Sequence, residues 1–449
     1  MPVVARRLYD WHAAPGAFAR LVPPWDSVEL VSSSGESLAD RVLELRMRLG
    51  PARLGWRAVH HDHVEGERFA DRAERGPFAT WNHEHVFQSE AAGSTLIDRV
   101  TWEPPLGALG LAVAGASIGS TLDRVFAFRH ARTREDLLRH ADIRPRTIAV
   151  TGASGLLGTQ LVAFLGGGGH RVRPLVRRAP RTPDEIRWDP DAGSIDAAAL
   201  EGVDAVVHLA GESVGDRWTP ARRKAILESR EKGTRLLAKA LAGLSRRPEV
   251  LVSASAVGIY GDDRGDEELD ETSTLGTGFL ADVCRAWEAA TAPASEAGIR
   301  VVHARLGVVL TPRGGALANL LPPARLGALG PVGSGRQYMS WVAPDDVLGA
   351  LLHAIVSPEL SGPLNVTSPR PVPQAELART LGAVLHRPSF MPLPAFAVKL
   401  MFGEMGESVL LGGQRVQPSR LIASGYTFAR PDLASALAFE LGVPAPGPG

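Results

Sequence analysis

The sequence predicts an α/β protein: a doubly wound parallel sheet with a small C-terminal lobe, preceded by a separate α+β domain. Three observations carry that expectation. From residue 147 onward, short apolar runs alternate with helical stretches, the pattern of strands covered on both faces by helices. At the head of that region, Thr151-Gly-Ala-Ser-Gly-Leu-Leu-Gly158 turns an apolar strand into a helix, with glycines at 152, 155 and 158. Residues 1–142 instead alternate with period two and close on an amphipathic helix. The boundaries read from the sequence are 1–142, 147–370 and 371–440, in keeping with a 449-residue chain at about 150 residues per domain.

The elements follow in chain order. In Arg41–Leu49, Leu43, Leu45, Met47 and Leu49 share one face while Glu44, Arg46 and Arg48 take the other, as in a half-buried antiparallel strand. Further strands are expected at Trp56–Val64, Trp81–Gln88 and Thr95–Trp102, making a meander. The most apolar run, Leu106–Ile118, is broken by glycines and shorter than the ~20 residues of a membrane span, so it is read as buried core or pocket lining. Leu122, Val125, Phe126, Leu137 and Leu138 then recur at helical spacing over Ser120–His140. Ile143–Arg146 holds a proline and serves as linker. Strands follow at Thr147–Val150, Arg171–Val176, Asp204–Leu209, Glu249–Ser253 and Arg300–Arg305. Thr219-Pro220 opens a helix as a capping residue followed by proline at the first position. The C-terminal lobe is expected to hold helices at Asp345–Val356 and Gln374–Leu385, with a strand at Leu364–Val366 and a frayed tail at Pro444–Gly449.

Composition narrows the partners. Forty-nine basic residues cancel forty-nine acidic ones, which removes the basic field that nucleic acid or a membrane surface would require. The single cysteine, Cys284, excludes an internal disulfide and suits a reducing cytoplasm. Charges stand where a signal peptide would need its apolar stretch. The expected partner is therefore a small or lipophilic molecule, without membrane insertion; the oligomeric state is left open. His61 with His63, and His83 with His85, could each present two ligands on one strand face, with Asp62, Asp71 and Glu84 nearby. They are read as pocket or solvated histidines, and no metal is assigned.

The glycine-rich turn suits a dinucleotide pyrophosphate, because a phosphate can approach bare backbone at a helix N-terminus, where N–H groups are unpaired and the dipole is positive. Gly152, Ala153, Ser154, Gly155, Leu156, Leu157 and Gly158 form this cradle. The second strand ends Leu175-Val-Arg-Arg178 with no carboxylate before Asp184, so Arg177 is placed on a 2′-phosphate and the cofactor read as NADP, with NAD possible. Leu209, Ala210 and Gly211 form a small-residue tip along which the nucleotide can lie.

Together with Ser253-Ala-Ser-Ala-Val-Gly-Ile-Tyr-Gly261, these segments resemble extended short-chain dehydrogenases/reductases of the NAD-dependent epimerase class. Trp188-Asp-Pro190, Arg217-Trp-Thr219, Ser229-Arg230, Gly233-Thr234, Gly333–Trp341 and Gln417–Phe428 are similar to a subgroup with its own C-terminal domain, of the DUF1731 kind. Gly76-Pro-Phe78 and Trp81-Asn-His-Glu-His85 resemble a helix-grip domain of the polyketide cyclase and lipid-transfer (SRPBCC) kind. The first resemblance implies a Rossmann fold, NAD(P) chemistry and a serine, matched by Ser255, that orients a substrate oxygen. It also implies a tyrosine with lysine four residues on, since a phenol of pKa ~10 needs help at neutral pH. None of Tyr9, Tyr260, Tyr338 and Tyr426 has that lysine. Phe279 or Leu280 stands in the tyrosine's place and Val283 or Cys284 in the lysine's, leaving Tyr260 as the nearest proton donor to Ser255. The expected function is an NADP-dependent oxidoreductase or epimerase-like enzyme; the competing reading is a non-catalytic NADP-binding sensor. A third makes the first domain a substrate carrier, its cavity lined by Trp56, Trp81, Phe87 and Trp102.

Overall fold

The computed structural model describes residues 1–35, 37–49 and 52–444; the tail expected to fray lies almost wholly outside them. The chain forms two compact units, residues 1–144 with 163–169, and residues 145–162 with 170–449.

The first unit is a six-stranded antiparallel meander in sequential order: β1 (Glu29–Ser34), β2 (Val42–Leu49), β3 (Ala52–Val64), β4 (Arg68–Arg75), β5 (Thr80–Glu90) and β6 (Gly93–Glu103). Against it lie α1 (Ala5–Ala13), which buries Leu8, Tyr9 and Trp11, and the 33-residue α2 (Gly107–Arg139). Sheet and helices enclose a cavity of about 1000 Å³. Helix α2 begins thirteen residues before the expected start, so the apolar run is helical. Its first turns are not buried core, because Leu109, Leu111 and Val113 are exposed, while Ile118 and Leu122 line the cavity. By length and composition alone, α2 is long and apolar enough to cross a membrane, which corrects the reading of that run as too short.

The second unit contains β7 (Thr147–Thr151), β8 (Arg171–Val176), β9 (Ile186–Asp189), β10 (Ser194–Ile195), β11 (Ala205–His208), β12 (Val250–Ala256), β13 (Arg300–Leu306) and β14 (Gly362–Val366). Their spatial order is β10-β9-β8-β7-β11-β12-β13-β14, with every neighbouring pair parallel except β10–β9. This is a Rossmann-like doubly wound sheet. The chain runs outward from β7 to β10, then returns to the other side of β7 as β11, and a sheet opens a crevice for ligands at the strand ends where the order reverses in this way. Ile148, Val150, Val206, Val207, Leu251 and Val252 are fully buried, as the near-continuous apolar runs required. Helix α3 (Leu156–Gly167) follows β7, and α4 (Pro220–Ala242) is capped by Thr219, whose hydroxyl accepts from the Arg222 amide. From α4, Leu237, Ala238 and Leu241 pack on Val206 and Leu251. Helix α5 (Phe279–Ala289) carries the positions where the tyrosine and lysine were sought.

Candidate functional site: a nucleotide crevice at the reversal of strand order

The reversal point brings two glycine-bearing strand ends into contact. Gly152, at φ +68°, lies so near the chain after β11 that a Cβ would sit 2.9 Å from the Ala210 nitrogen. A Cβ on Gly158 would fall 2.0 Å from the Gly152 carbonyl oxygen, so the first turn of α3 can close on the loop only with hydrogen there. The Gly155 amide donates to the Gly152 carbonyl at 2.9 Å, which sets the tight turn. Ser154, Gly155 and Leu156 stand exposed at the helix N-terminus, and Ala153 and Leu157 are half-buried beside them.

Thr151 locks the two ends together. Its hydroxyl accepts from the Leu209 and Ala210 amides at 3.1 and 3.2 Å and donates to His208 Nδ1 at 2.7 Å. His208 Nε2 meets Thr234 at 2.9 Å, and burial pushes the ring down to about 4, so it serves as a neutral structural link. Gly211 passes over Arg230, where a Cβ would lie 3.3 Å from the guanidinium carbon. That guanidinium sits 4.8 Å from the Trp287 ring centroid and donates to the Ile226 carbonyl at 3.1 Å. Neither Thr151 nor Arg230 was singled out by spacing, although both lie within segments that carry the resemblance.

The two arginines at the tip of β8 differ. Arg178 grips Glu185 at 2.7 Å, and Glu185 is held down to about 2 by Arg178 and the Arg181 amide. Arg177 is exposed, and among the described residues no hydrogen bond or ion pair holds it. Of the pair, it is the cation free to meet a phosphate.

The expected proton relay is built otherwise. Ser255, 2% exposed, donates to Glu288 Oε1 at 2.8 Å. Glu288 takes a two-point grip from Arg305, Nε at 2.8 Å and Nη2 at 2.9 Å. Arg305 Nη1 donates to the Tyr260 hydroxyl at 3.0 Å, and that hydroxyl donates to Asn365 Oδ1 at 2.8 Å. Tyr260 is 0% exposed and burial raises its phenol further. The hydroxyl expected to donate a proton is thus engaged by two protein groups, Arg305 and Asn365. Glu288, Arg305 and Asn365 escaped sequence reasoning, since they come from three separate elements and share no local spacing. On α5, Phe279 packs edge-on to Trp218 at 4.9 Å, and Arg223 lies 4.2 Å over its ring while pairing with Glu404. Val283 and Cys284 are buried, and burial pushes the thiol up to about 11, which leaves it a packing residue.

In the first unit, Trp56 and Trp81 line the cavity as expected, whereas Phe87 packs edge-on to Tyr9 in the buried core and Trp102 packs against Phe78. His61 bonds Asn82 at 2.8 Å and His63 bonds Tyr9 at 2.6 Å. His83 and His85 face the cavity beside Asp71. Of the carboxylates named with them, Asp62 bonds His61 and Glu84 bonds Arg99.

The crevice suits a dinucleotide on its own geometry: a cradle that Cβ atoms would fill, an open helix N-terminus and a free arginine at the next strand tip. Comparison with known proteins agrees. Residues 148–366 match the NAD dependent epimerase/dehydratase family, and 393–440 match DUF1731, a domain of unknown function. The chain is 43% identical over 293 residues to epimerase family protein Mb2239 of Mycobacterium bovis, covering 65% of this chain and 96% of that one. A nucleoside-diphosphate sugar epimerase from Corynebacterium glutamicum is similar at 37% identity and TM-score 0.81, over 98% of this chain and 89% of that one. Human epimerase family protein SDR39U1, solved with NADPH, is 36% identical at TM-score 0.60, over 66% of this chain and 99% of that one. With the glycine cradle, the reversed strand order and these relatives in agreement, the chain belongs to the NAD-dependent epimerase/dehydratase family.

Proposed function

We propose that the second unit binds NADP(H) and acts as an oxidoreductase of the epimerase class on a small or lipophilic substrate. The observation that carries this is Arg177, free at the tip of β8 while Arg178 is neutralised by Glu185, beside a cradle that admits a pyrophosphate. The human relative solved with NADPH supports the same cofactor. When bound, the nicotinamide supplies hydride chemistry. The chain's own contribution is placement: Gly152–Gly158 hold the diphosphate, Arg177 the 2′-phosphate, and Leu209–Gly211 give a flat backbone beside the adenosine. Ser255 is the residue proposed to orient a substrate oxygen, its hydroxyl turned by Glu288, which Arg305 grips at two points. A protonated donor equivalent to the tyrosine is absent from α5, where Phe279 and Cys284 stand. That observation favours a second reading, an NADP(H)-binding sensor without turnover.

The first unit is proposed to be a helix-grip domain that holds the lipophilic molecule, supported by its meander, its long helix and its cavity. Calorimetry with NADPH and NADH tests the cofactor. Arg177→Asp should move preference from NADPH toward NADH, and an unchanged ratio refutes the assignment of Arg177. Stopped-flow absorbance against a metabolite panel separates the two readings: NADPH oxidation supports the enzyme, and tight binding with no oxidation supports the sensor.

A further inference from the structure

The cavity wall of the first unit carries a polar cluster that the nucleotide crevice does not use. Along β5, His83 and His85 project from the same face; strand pairing sets Asp71 of β4 opposite His83 and Asp98 of β6 opposite His85, and α2 adds His130. Asp98 collects one nitrogen from each ring. His83 Nε2 lies 3.0 Å and His85 Nδ1 2.7 Å from its Oδ1, while His130 Nε2 lies 2.6 Å from Oδ2.

The other two nitrogens converge elsewhere. His83 Nδ1 and His85 Nε2 lie 3.3 and 4.0 Å from a single oxygen, Asp71 Oδ2, and the three donor atoms all fall within 4.8 Å of one another. A hydrogen-bonded cluster alone does not explain this, since 4.0 Å is beyond hydrogen-bond reach and leaves His85 Nε2 without an acceptor there. Donors that share a cation through bonds of about 2.0–2.2 Å stand roughly 3–4 Å apart, a range that holds both distances from Asp71 Oδ2 to the two imidazoles. The second oxygen of Asp71 is already committed, accepting from Trp81 Nε1 at 3.1 Å, so Oδ2 is the one left to ligate. His83 and His85 are 3% and 7% exposed, and both line the cavity with Asp71.

We propose that Asp71, His83 and His85 bind a divalent first-row transition cation of the Zn²⁺ or Fe²⁺ kind, with Asp98 as the outer carboxylate, hydrogen-bonded to His83 and 2.7 Å from Nδ1 of His85. Two histidines and one carboxylate with open positions suit such ions, and a carboxylate on the far nitrogen of a ligating histidine sets its tautomer and orientation. This departs from the sequence reading, which assigned no metal. The missing carboxylate complement comes from neighbouring strands, where no sequence spacing displays it. Because the ligands line the cavity, the open positions suit an apolar molecule with one oxygen donor, such as a carbonyl, enol or carboxylate.

The test uses the full chain, stripped with chelator and titrated with Co²⁺, read by equilibrium dialysis and visible absorption. One Co²⁺ per chain with a ligand-field band is expected. His85→Ala should abolish the band, and Asp98→Asn should weaken binding by about 10- to 100-fold. His61→Ala, whose ring is bonded to Asn82, should change nothing. His85→Cys, which keeps a ligand in place, should retain the stoichiometry and add a thiolate-to-cobalt charge-transfer band, and it decides the matter if His85→Ala fails to fold. Wild-type binding no greater than that of the His83→Ala/His85→Ala double variant, or a His85→Cys protein without the charge-transfer band, overturns the proposal.

Discussion

At the residue scale, the crevice depends on atoms that are missing. Gly158 matters because a methyl group would sit 2.0 Å from the Gly152 carbonyl, a backbone atom that cannot rotate away. Gly158→Ala is therefore expected to open the β7–α3 turn, cost about 1–3 kcal/mol as overpacking does, and reduce NADPH affinity. Urea denaturation and calorimetry read both effects, and a variant with native affinity would mean that the turn is not the cradle. Tyr260 makes a contrasting case. Tyr260→Phe strands Asn365 Oδ1 and one Arg305 N–H inside the core, so a loss of about 1–3 kcal/mol is expected with cofactor affinity unchanged. If the phenol were instead the proton source, turnover on any substrate found would fall by about 10²- to 10⁴-fold while stability held.

At the element scale, β-strands of the second unit were legible where burial on both faces leaves a nearly pure apolar run, as in Ala205–His208, buried at every position; Arg171–Val176, with two arginines and one buried residue, is still found at its expected bounds. Helix α2 was half legible. Four glycines and two preceding prolines hide its first turns from propensity, although alanines and leucines between them sustain the helix. Strand β4, Arg-Phe-Ala-Asp-Arg-Ala-Glu-Arg, carries too many charges to alternate visibly, and with it went the position of Asp71. The same burial that made strands readable has a pH consequence. His208, at the end of β11, is pushed from the usual 6.5 to about 4, so between those values the unfolded chain binds a proton that the native protein excludes. Stability from this residue is complete above about pH 6.5 and is lost as pH falls toward 4, by roughly 3 kcal/mol. Urea midpoints measured across that window should fall with acid, and His208→Gln should flatten the slope.

At the scale of the whole molecule, the cavity and the crevice belong to different units, and a change in one can be read against the other. The sequence pointed to a cavity and to two of its tryptophans, Trp56 and Trp81, but not to its volume of about 1000 Å³, because the space depends on how a sheet curves and not on which residues alternate. Ala58, buried on β3 and part of the cavity wall, offers a way to fill it. Ala58→Phe should displace whatever apolar molecule co-purifies with the full chain, as read by mass spectrometry of extracts, at a cost of about 1–3 kcal/mol if the core resists the larger ring. NADPH affinity, set by Gly152–Gly158 and Arg177 in the second unit, should stay where it was. Lost lipophile with intact nucleotide binding would mark the cavity as the ligand chamber. Equal lipophile recovery from both proteins would show that the molecule sits elsewhere, and a parallel loss of NADPH binding would show that the two units do not act separately.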